Sequence, residues 1–457
     1  MKRIHRVALV IASAGLAACA ETVMDPPAQS EQSLDAQVRQ AIAPWGVVPI
    51  LPINAADPAL VDLGRSLFFD KILSGNRDVS CASCHSPSLQ SGDGHSLAVG
   101  TGAVVTGDVR TLGQGRQFTP RNAPSLFNAA LAPQYIFWDG RVSADFGLQR
   151  FQAPAGVTLP PGLSNLLAAQ AMLPVTNRVE MRGDAGDRDV AGNPNELAAI
   201  SDADNAAIWS GTMRRVLAVN AYLQKFNAAF PGVPASQLGF QHAANAIAAF
   251  EATTFTKTNS AFDRYLARDD NALSADAKHG ALLFFGKARC SSCHNGAMLG
   301  AQEFANAGVP QLGPGTGKSA PLDGGREEGF NGGPPIQGRF FFRVAPLRNV
   351  ELTGPYMHNG AYASLEAVVR HYNNVDSALA AFDPATLDAS LRASYHGDAA
   401  TISAIRSGLD GRLQQPIRLT TEEQRQLVVF LKSLTDPSAR DMNAVIPASV
   451  PSGLPIR

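Results

Sequence analysis

Two short runs constrain this 457-residue chain more than anything else in it: Cys81-Ala82-Ser83-Cys84-His85 and Cys290-Ser291-Ser292-Cys293-His294. Each is a complete C-x-x-C-H motif, and together they use four of the five cysteines. Two thiols three positions apart on a helical turn meet the two vinyl groups of one porphyrin, and the adjacent histidine falls beneath the iron as proximal ligand. A zinc site or a redox disulfide would use the same pairs, but neither gives a reason for a histidine at the same offset twice. The motifs therefore predict two covalently bound haems c. Cys81, Cys84 and His85 would hold the first, and Cys290, Cys293 and His294 the second.

The fifth cysteine, Cys19, belongs to the start of the chain. Three positive charges in Met1 to Arg6, a twelve-residue run of mostly small apolar residues and Leu16-Ala17-Ala18-Cys19 read as a signal segment over 1–19, too short to span a bilayer. The last four residues look like a bacterial lipobox, which would make Cys19 the lipidated first residue of the mature protein. Ala20 after it resembles the outer-membrane sorting pattern. An ordinary signal peptide with an incidental cysteine is the alternative. The expected location is the periplasm, with membrane contact only through the lipid. Residues 20–44 are polar, contain Pro26-Pro27, and read as a flexible tether.

The body is 45% apolar, enough for a sizeable core, and its 38 basic and 39 acidic residues give no electrostatic reason to expect nucleic acid as a partner. With 41 glycines and 30 prolines, helices separated by long, turn-rich loops are expected. A diverged internal repeat surrounds the motifs. Gly64-Arg65-Ser66-Leu67-Phe68-Phe69 precedes the first and Gly280-Ala281-Leu282-Leu283-Phe284-Phe285 the second. Downstream, Ala123-Pro124 through Trp138-Asp139-Gly140 parallels Ala345-Pro346 through His358-Asn359-Gly360. The repeat predicts a mainly α protein of two cytochrome-c-like domains, 45–268 and 269–440, each wrapped on one haem and packed around a shared cleft, with a tail over 441–457.

The chain resembles the bacterial di-haem cytochrome c peroxidase and MauG superfamily from about residue 45 to 435. The residues that carry the likeness are Arg121-Asn122-Ala123-Pro124, Phe137-Trp138-Asp139-Gly140-Arg141, Pro174 to Glu180-Met181, Phe262-Asp263-Arg264-Tyr265-Leu266 and Leu347-Arg348-Asn349-Val350-Glu351-Leu352-Thr353-Gly354-Pro355-Tyr356. The resemblance implies a periplasmic enzyme with a peroxide-binding haem at His85, an electron-handling haem at His294, Trp138 between them, and a calcium ion held by Asn122, Thr353 and Pro355. Calcium is compatible with few protein ligands because water completes its shell. The distal side of the first haem would be formed by Gln170, Pro174 and Glu180. Peroxide cleavage moves a proton from one oxygen to the other, and a glutamate can carry it. An insertion from about Phe151 to Leu166 and an Asp- and Gly-rich segment from Gly183 to Ser201 depart from the family pattern and put the docking of an electron donor in doubt.

Counting from His358, the resemblance puts Tyr372 opposite His294, where classical peroxidases carry methionine and the MauG branch tyrosine. His371 and Met357 are its rivals. A phenolate stabilises oxidised iron and lowers its potential, whereas a thioether raises it. His95 is a further candidate to cap the first haem, and His358 is expected near a haem edge or propionate. The leading expectation is reduction of hydrogen peroxide to water with electrons from a small c-type cytochrome or a cupredoxin. The alternatives are MauG-like oxidation of a tyrosine or tryptophan of a partner protein, and a non-catalytic electron-transfer or redox-sensing cytochrome.

Overall fold

The computed structural model describes residues 33–51, 53–106, 109–145, 150–154, 156–300, 303–328 and 338–456. The signal segment and Cys19 lie outside the described residues. Helix α1 (Leu34–Ile42) comes first. The first motif follows among α2 (Pro58–Phe69), α3 (Cys81–Cys84), α4 (Leu166–Ala171), α5 (Asn205–Leu217), α6 (Asn220–Ala229) and α7 (Phe240–Phe255). The second sits among α8 (Ala261–Leu266), α9 (Ala275–Phe285), α10 (Leu365–Asn373), α11 (Val375–Ala380), α12 (Ala399–Ser407) and α13 (Thr421–Lys432). The architecture is mainly α, with three small antiparallel sheets among the described residues that the sequence did not announce. Their strands are β1 (Val104–Thr106) with β2 (Val109–Thr111), β3 (Tyr135–Ile136), β4 (Val142–Asp145) and β5 (Arg150–Gln152) in that order, and β6 (Phe304–Ala305) with β7 (Phe342–Arg343).

The internal repeat is visible as two equivalent helix crossings. Asp57 caps α2, its side chain accepting from Ala59 N at 2.8 Å with Pro58 at the first helical position; α13 opens on a Thr420–Glu423 capping box. At each crossing one glycine lets the backbones touch. A Cβ on Gly64 of α2 would run into the Ala246 carbonyl of α7, and one on Gly280 of α9 into the Gln426 carbonyl of α13. Replacing a helical glycine by alanine normally gains up to about 1 kcal/mol, but here it would push main chains apart in a close-packed interior, so the contact decides the residue. The aromatic pairs beside the crossings correspond as well. The Phe68 and Phe250 rings lie 5.2 Å apart, and so do Phe284 and Phe430.

The chain ends correct the domain reading. The stretch 20–44, taken as a tether, becomes helix at Leu34, and Val38 and Ile42 are buried in the core of the second unit beside Phe284 and Leu431. Ser33 caps that helix, and Asp35 pairs with Lys278 at 2.7 Å. The 441–457 tail returns to the first unit: Met442 and Val450 are buried there, Arg65 Nε donates to the Val445 carbonyl at 2.7 Å, and Ser452 Oγ donates to Asp70 at 2.6 Å. Each end of the described residues thus packs on the unit it does not belong to by sequence. The cut at 268 also falls one helix late, because Phe262 and Tyr265 of α8 are in the second core.

Candidate haem sites and the cleft between them

At the first motif, α3 is fixed by reciprocal bonds between Ser80 and Ser83, and His85 N donates to the Cys81 carbonyl at 2.9 Å. The His85 Nδ1 faces the Ser91 carbonyl at 3.4 Å, with the Pro124 carbonyl also beside the ring. The second motif repeats this arrangement. His294 N donates to the Cys290 carbonyl at 2.8 Å, its Nδ1 faces the Leu299 carbonyl at 3.1 Å, and the Ala345 carbonyl adjoins it. A carbonyl at Nδ1 fixes the tautomer and leaves Nε2 for a metal. Burial pushes His85 down to about 4 and lowers His294, so both rings are neutral, as iron ligation requires. The four motif cysteines form no disulfide, and among the described residues no three His, Cys, Asp or Glu side chains are grouped to hold a metal ion. The disulfide and shared-zinc readings therefore have no support, and the residues fit a haem at each motif.

Glu180 lies in a five-residue π-helical turn, Arg178–Arg182, an irregularity often found at functional sites. The Asn177 side chain caps the turn by accepting from Val179 N at 2.9 Å and Glu180 N at 3.1 Å. Gly100 permits the facing segment to lie against it, since a Cβ there would meet the Val179 and Glu180 carbonyls, and Thr101 N donates to the Glu180 carbonyl at 3.0 Å. Burial raises the pKa of the Glu180 carboxyl, opposed by the Arg141 guanidinium. The same carboxylate adds to the burial and the Asp93 charge that push the Cys84 thiol up, which puts Glu180 in the neighbourhood of the first motif. Gln170 and Pro174 stand on the run leading to it, Gln170 half-buried near the end of α4 and Pro174 opening the turn Pro174–Thr176.

The Gly183 to Ser201 segment braces this turn. Asn195 Nδ2 donates to the Arg182 carbonyl at 2.7 Å and to Asn76 at 2.8 Å, while Arg116 pairs with Asp187 at 2.8 Å. The Phe151 to Leu166 insertion contributes β5 and packs Val157, Leu159 and Leu163 on the first core.

A deep, mainly apolar cavity runs from the first unit to the second motif. His294, Tyr372, Trp138 and all three expected calcium ligands, Asn122, Thr353 and Pro355, line it. The Trp138 indole Nε1 donates to the Asn122 carbonyl at 2.9 Å, two residues from the Pro124 peptide beside His85. The tryptophan therefore stands on the wall between the two motifs. Its backbone is under strain: Phe137 has φ +69°, which costs a bulky residue about 1–2 kcal/mol. The next tight position, φ +66°, is filled by Gly140, where a Cβ would meet Phe304 and Arg326.

Of the three candidates for the second iron, His371 is excluded by its own bonds. Its Nδ1 pairs with the Tyr362 hydroxyl at 2.8 Å and its Nε2 with the Ala307 carbonyl at 2.8 Å. Tyr372 and Met357 both line the cavity, Met357 in a turn with φ +74°. The Tyr372 hydroxyl makes no hydrogen bond among the described residues, and burial, then the Cys293 and Cys290 thiols, raise its pKa. His95 is half-buried on its loop, where its backbone N–H donates to Asp93 at 3.0 Å and its carbonyl accepts from Asn122 at 2.8 Å. His358 lines the cavity, stacked on Phe342 at 3.6 Å with its Nε2 unbonded.

Two residues of note escaped the sequence reading. Glu251 on α7 is a buried carboxyl that burial alone pushes up to about 8, and it acts on the Cys81 thiol. Arg343 lines the cavity beside Trp138. Neither carries a motif, and Arg343 is hidden in the run Phe340-Phe341-Phe342.

Paired helix crossings, two C-x-x-C-H turns and a cavity lined by the second of them define a di-haem c-type oxidoreductase. The profile described as di-haem cytochrome c peroxidase matches residues 58–271. The chain is 32% identical over 327 residues to the methylamine utilization protein MauG of Methylorubrum extorquens, covering 71% of each chain. It is 32% identical over 315 residues to the cytochrome c551 peroxidase of Pseudomonas aeruginosa, covering 68% of this chain and 71% of that one. Among solved structures, a MauG-like protein associated with microbial copper homeostasis superposes with a TM-score of 0.55 at 27% identity, over 88% of this chain and 96% of the other. The chain belongs to the di-haem cytochrome c peroxidase family and is an oxidoreductase of the peroxidase type carrying two haems c.

Proposed function

We propose that this enzyme reduces hydrogen peroxide to water beside His85 and draws its two electrons from a small c-type cytochrome or cupredoxin that docks on the second unit. Bound at the two motifs, the haems supply the iron that accepts peroxide and the redox centres that hold and pass electrons. Glu180 takes a proton from one peroxide oxygen and returns it to the other, which leaves as water. With two electrons and two further protons, one peroxide yields two waters. Gln170 orients the peroxide, Pro174 shapes the pocket, and Trp138 carries electrons across the cleft. The observation that supports this most is a half-buried carboxyl in a capped π-turn beside the Cys84 motif, its pKa raised by desolvation. Peroxide consumption with a reduced c-type cytochrome or cupredoxin as sole electron source tests it. Saturable turnover is the expected result, and no consumption with any such donor would reject the reading.

A second reading is favoured by Tyr372: oxidation of a tyrosine or tryptophan of a partner protein, as in the MauG branch. The cavity tyrosine with an unbonded hydroxyl and the 32% identity to a MauG support it. A non-catalytic cytochrome would need the same two motifs, but a carrier has no use for a half-buried carboxyl of raised pKa beside the first of them.

Calcium is proposed at Asn122 Oδ1 and the Thr353 and Pro355 carbonyls. Asn122 spends its amide nitrogen on the His95 carbonyl, which leaves its oxygen to accept a cation. Metal analysis of the holoprotein should find one calcium per chain, lost in Asn122→Ala; equal content in both would remove the site. Export and lipidation of Cys19 are proposed for the same protein. Among the described residues no helix is long and apolar enough to cross a membrane. Fatty-acid labelling that is present in the wild type and absent in Cys19→Ser is expected, and an unlabelled wild type would contradict it.

A further inference from the structure

The cavity beside the second motif carries four arginines, and two of them are paired with carboxylates. Arg412 pairs with Glu303 at 2.6 Å and Asp410 at 2.8 Å, Arg348 with Asp263, and Arg289 donates to the Gln415 carbonyl at 3.0 Å. Arg343 has no carboxylate partner among the described residues. It uses its backbone N–H on the Trp138 carbonyl at 2.6 Å and its Nε on the Phe137 carbonyl at 2.8 Å. Its two terminal nitrogens make no hydrogen bond among the described residues, and the residue lines the cavity. Burial pulls this guanidinium down to about 10, the direction of a cation without an anion close by, with Asp139 only partly offsetting it.

The bonds that Arg343 does make fall on the strained dipeptide. Phe137 sits at φ +69° with the Arg141 guanidinium 4.0 Å over its ring, and Trp138 follows it. Arg343 itself is held in register by β7, opposite Phe304 of β6. One residue of the second unit thus holds the main chain of the relay tryptophan while lining the cavity that His294 also lines. An arginine fork is matched to a carboxylate. A haem has two, and no other acid enters this cavity from the described residues lining it.

We infer that Arg343 is a positioning residue that binds a propionate of the second haem through its terminal nitrogens and, through its backbone N–H and Nε, fixes Trp138 against that haem. This rests on the proposed function only in taking Trp138 as the electron path. Arg343→Gln and Arg343→Lys, prepared as holoproteins with both haems attached, test it. Spectroelectrochemical titration should show the second-haem potential shifted down in Arg343→Gln and the first unchanged, since a nearby cation disfavours the more positive oxidised haem relative to the reduced one, and its loss lifts that penalty. Arg343→Lys should restore the potential. The kcat should fall roughly tenfold in the glutamine variant, with KM for peroxide unchanged, because misplacement of a relay group slows a step after binding. Lysine, which cannot supply the Nε bond to Phe137, should recover only part of that loss.

A second-haem potential at the wild-type value in Arg343→Gln would overturn the inference, whatever the turnover. If the glutamine variant fails to accumulate, Arg343→Lys decides: full wild-type kcat there would overturn the Trp138 link. A shifted potential in a protein that never consumes peroxide would keep Arg343 in place and reject the proposed function instead.

Discussion

Replacing Glu180 by glutamine should leave both haems attached and lower peroxide turnover by roughly 10²- to 10⁴-fold, the range for loss of a positioned proton carrier. The isostere keeps the shape of the π-turn, because the Asn177 cap and the Thr101 bond engage only the backbone of residue 180. What is lost is the exchange of a proton. The pH dependence has a definite sign. Glu180 must be ionised to accept the first proton, and burial raises its pKa above the usual carboxylate range. Activity should therefore fall as pH drops through that raised value, and the acid limb should disappear in Glu180→Gln. A variant that retains near-wild-type rates would take Glu180 out of the reaction.

Tyr372→Met should raise the second-haem potential by on the order of 0.2 V, within the span over which axial ligands set haem potentials. A phenolate offsets the charge of oxidised iron, whereas a thioether favours the reduced state. Burial raises the phenol pKa, so iron binding has to displace the proton; the cation supplies that drive, as metals do for their other acidic ligands. The oxidised state formed by one equivalent of peroxide should decay faster in the variant, while peroxide binding beside His85 is unchanged. Freeze-quench Mössbauer spectra of wild type and variant read both quantities. Identical second-haem spectra in the two proteins would show that another residue, with Met357 next in line, faces His294.

The haem turns were legible because covalent attachment imposes a local spacing that survives any tertiary context. The helix crossings were nearly as legible, since Gly64 and Gly280 precede the same Leu/Phe-Phe pattern at corresponding places. Helix α1 was not: nine residues at the end of a polar, Pro-containing stretch are a weak signal, and what stabilises them is burial of Val38 and Ile42 on a unit more than two hundred residues away. Strands of two to four residues leave no period to read. The resemblance preferred Tyr372 to His371, but the sequence could not show why His371 is occupied elsewhere: its partners Tyr362 and Ala307, which take up both imidazole nitrogens, are not its neighbours in the chain. Arg343 was invisible for the same reason, because its partner Phe137 is 206 positions earlier.

The central claim is that peroxide reacts beside His85 with Glu180 moving its proton, and stopped-flow absorbance of the fully oxidised and half-reduced holoproteins, wild type and Glu180→Gln, mixed with one equivalent of peroxide tests it most directly. The account predicts a fast spectral change with loss of peroxide in the oxidised wild type, without prior reduction, and a change slowed at least a hundredfold in the variant. Wild-type spectra left unchanged in both redox states, or equal rates in the two proteins, would contradict it.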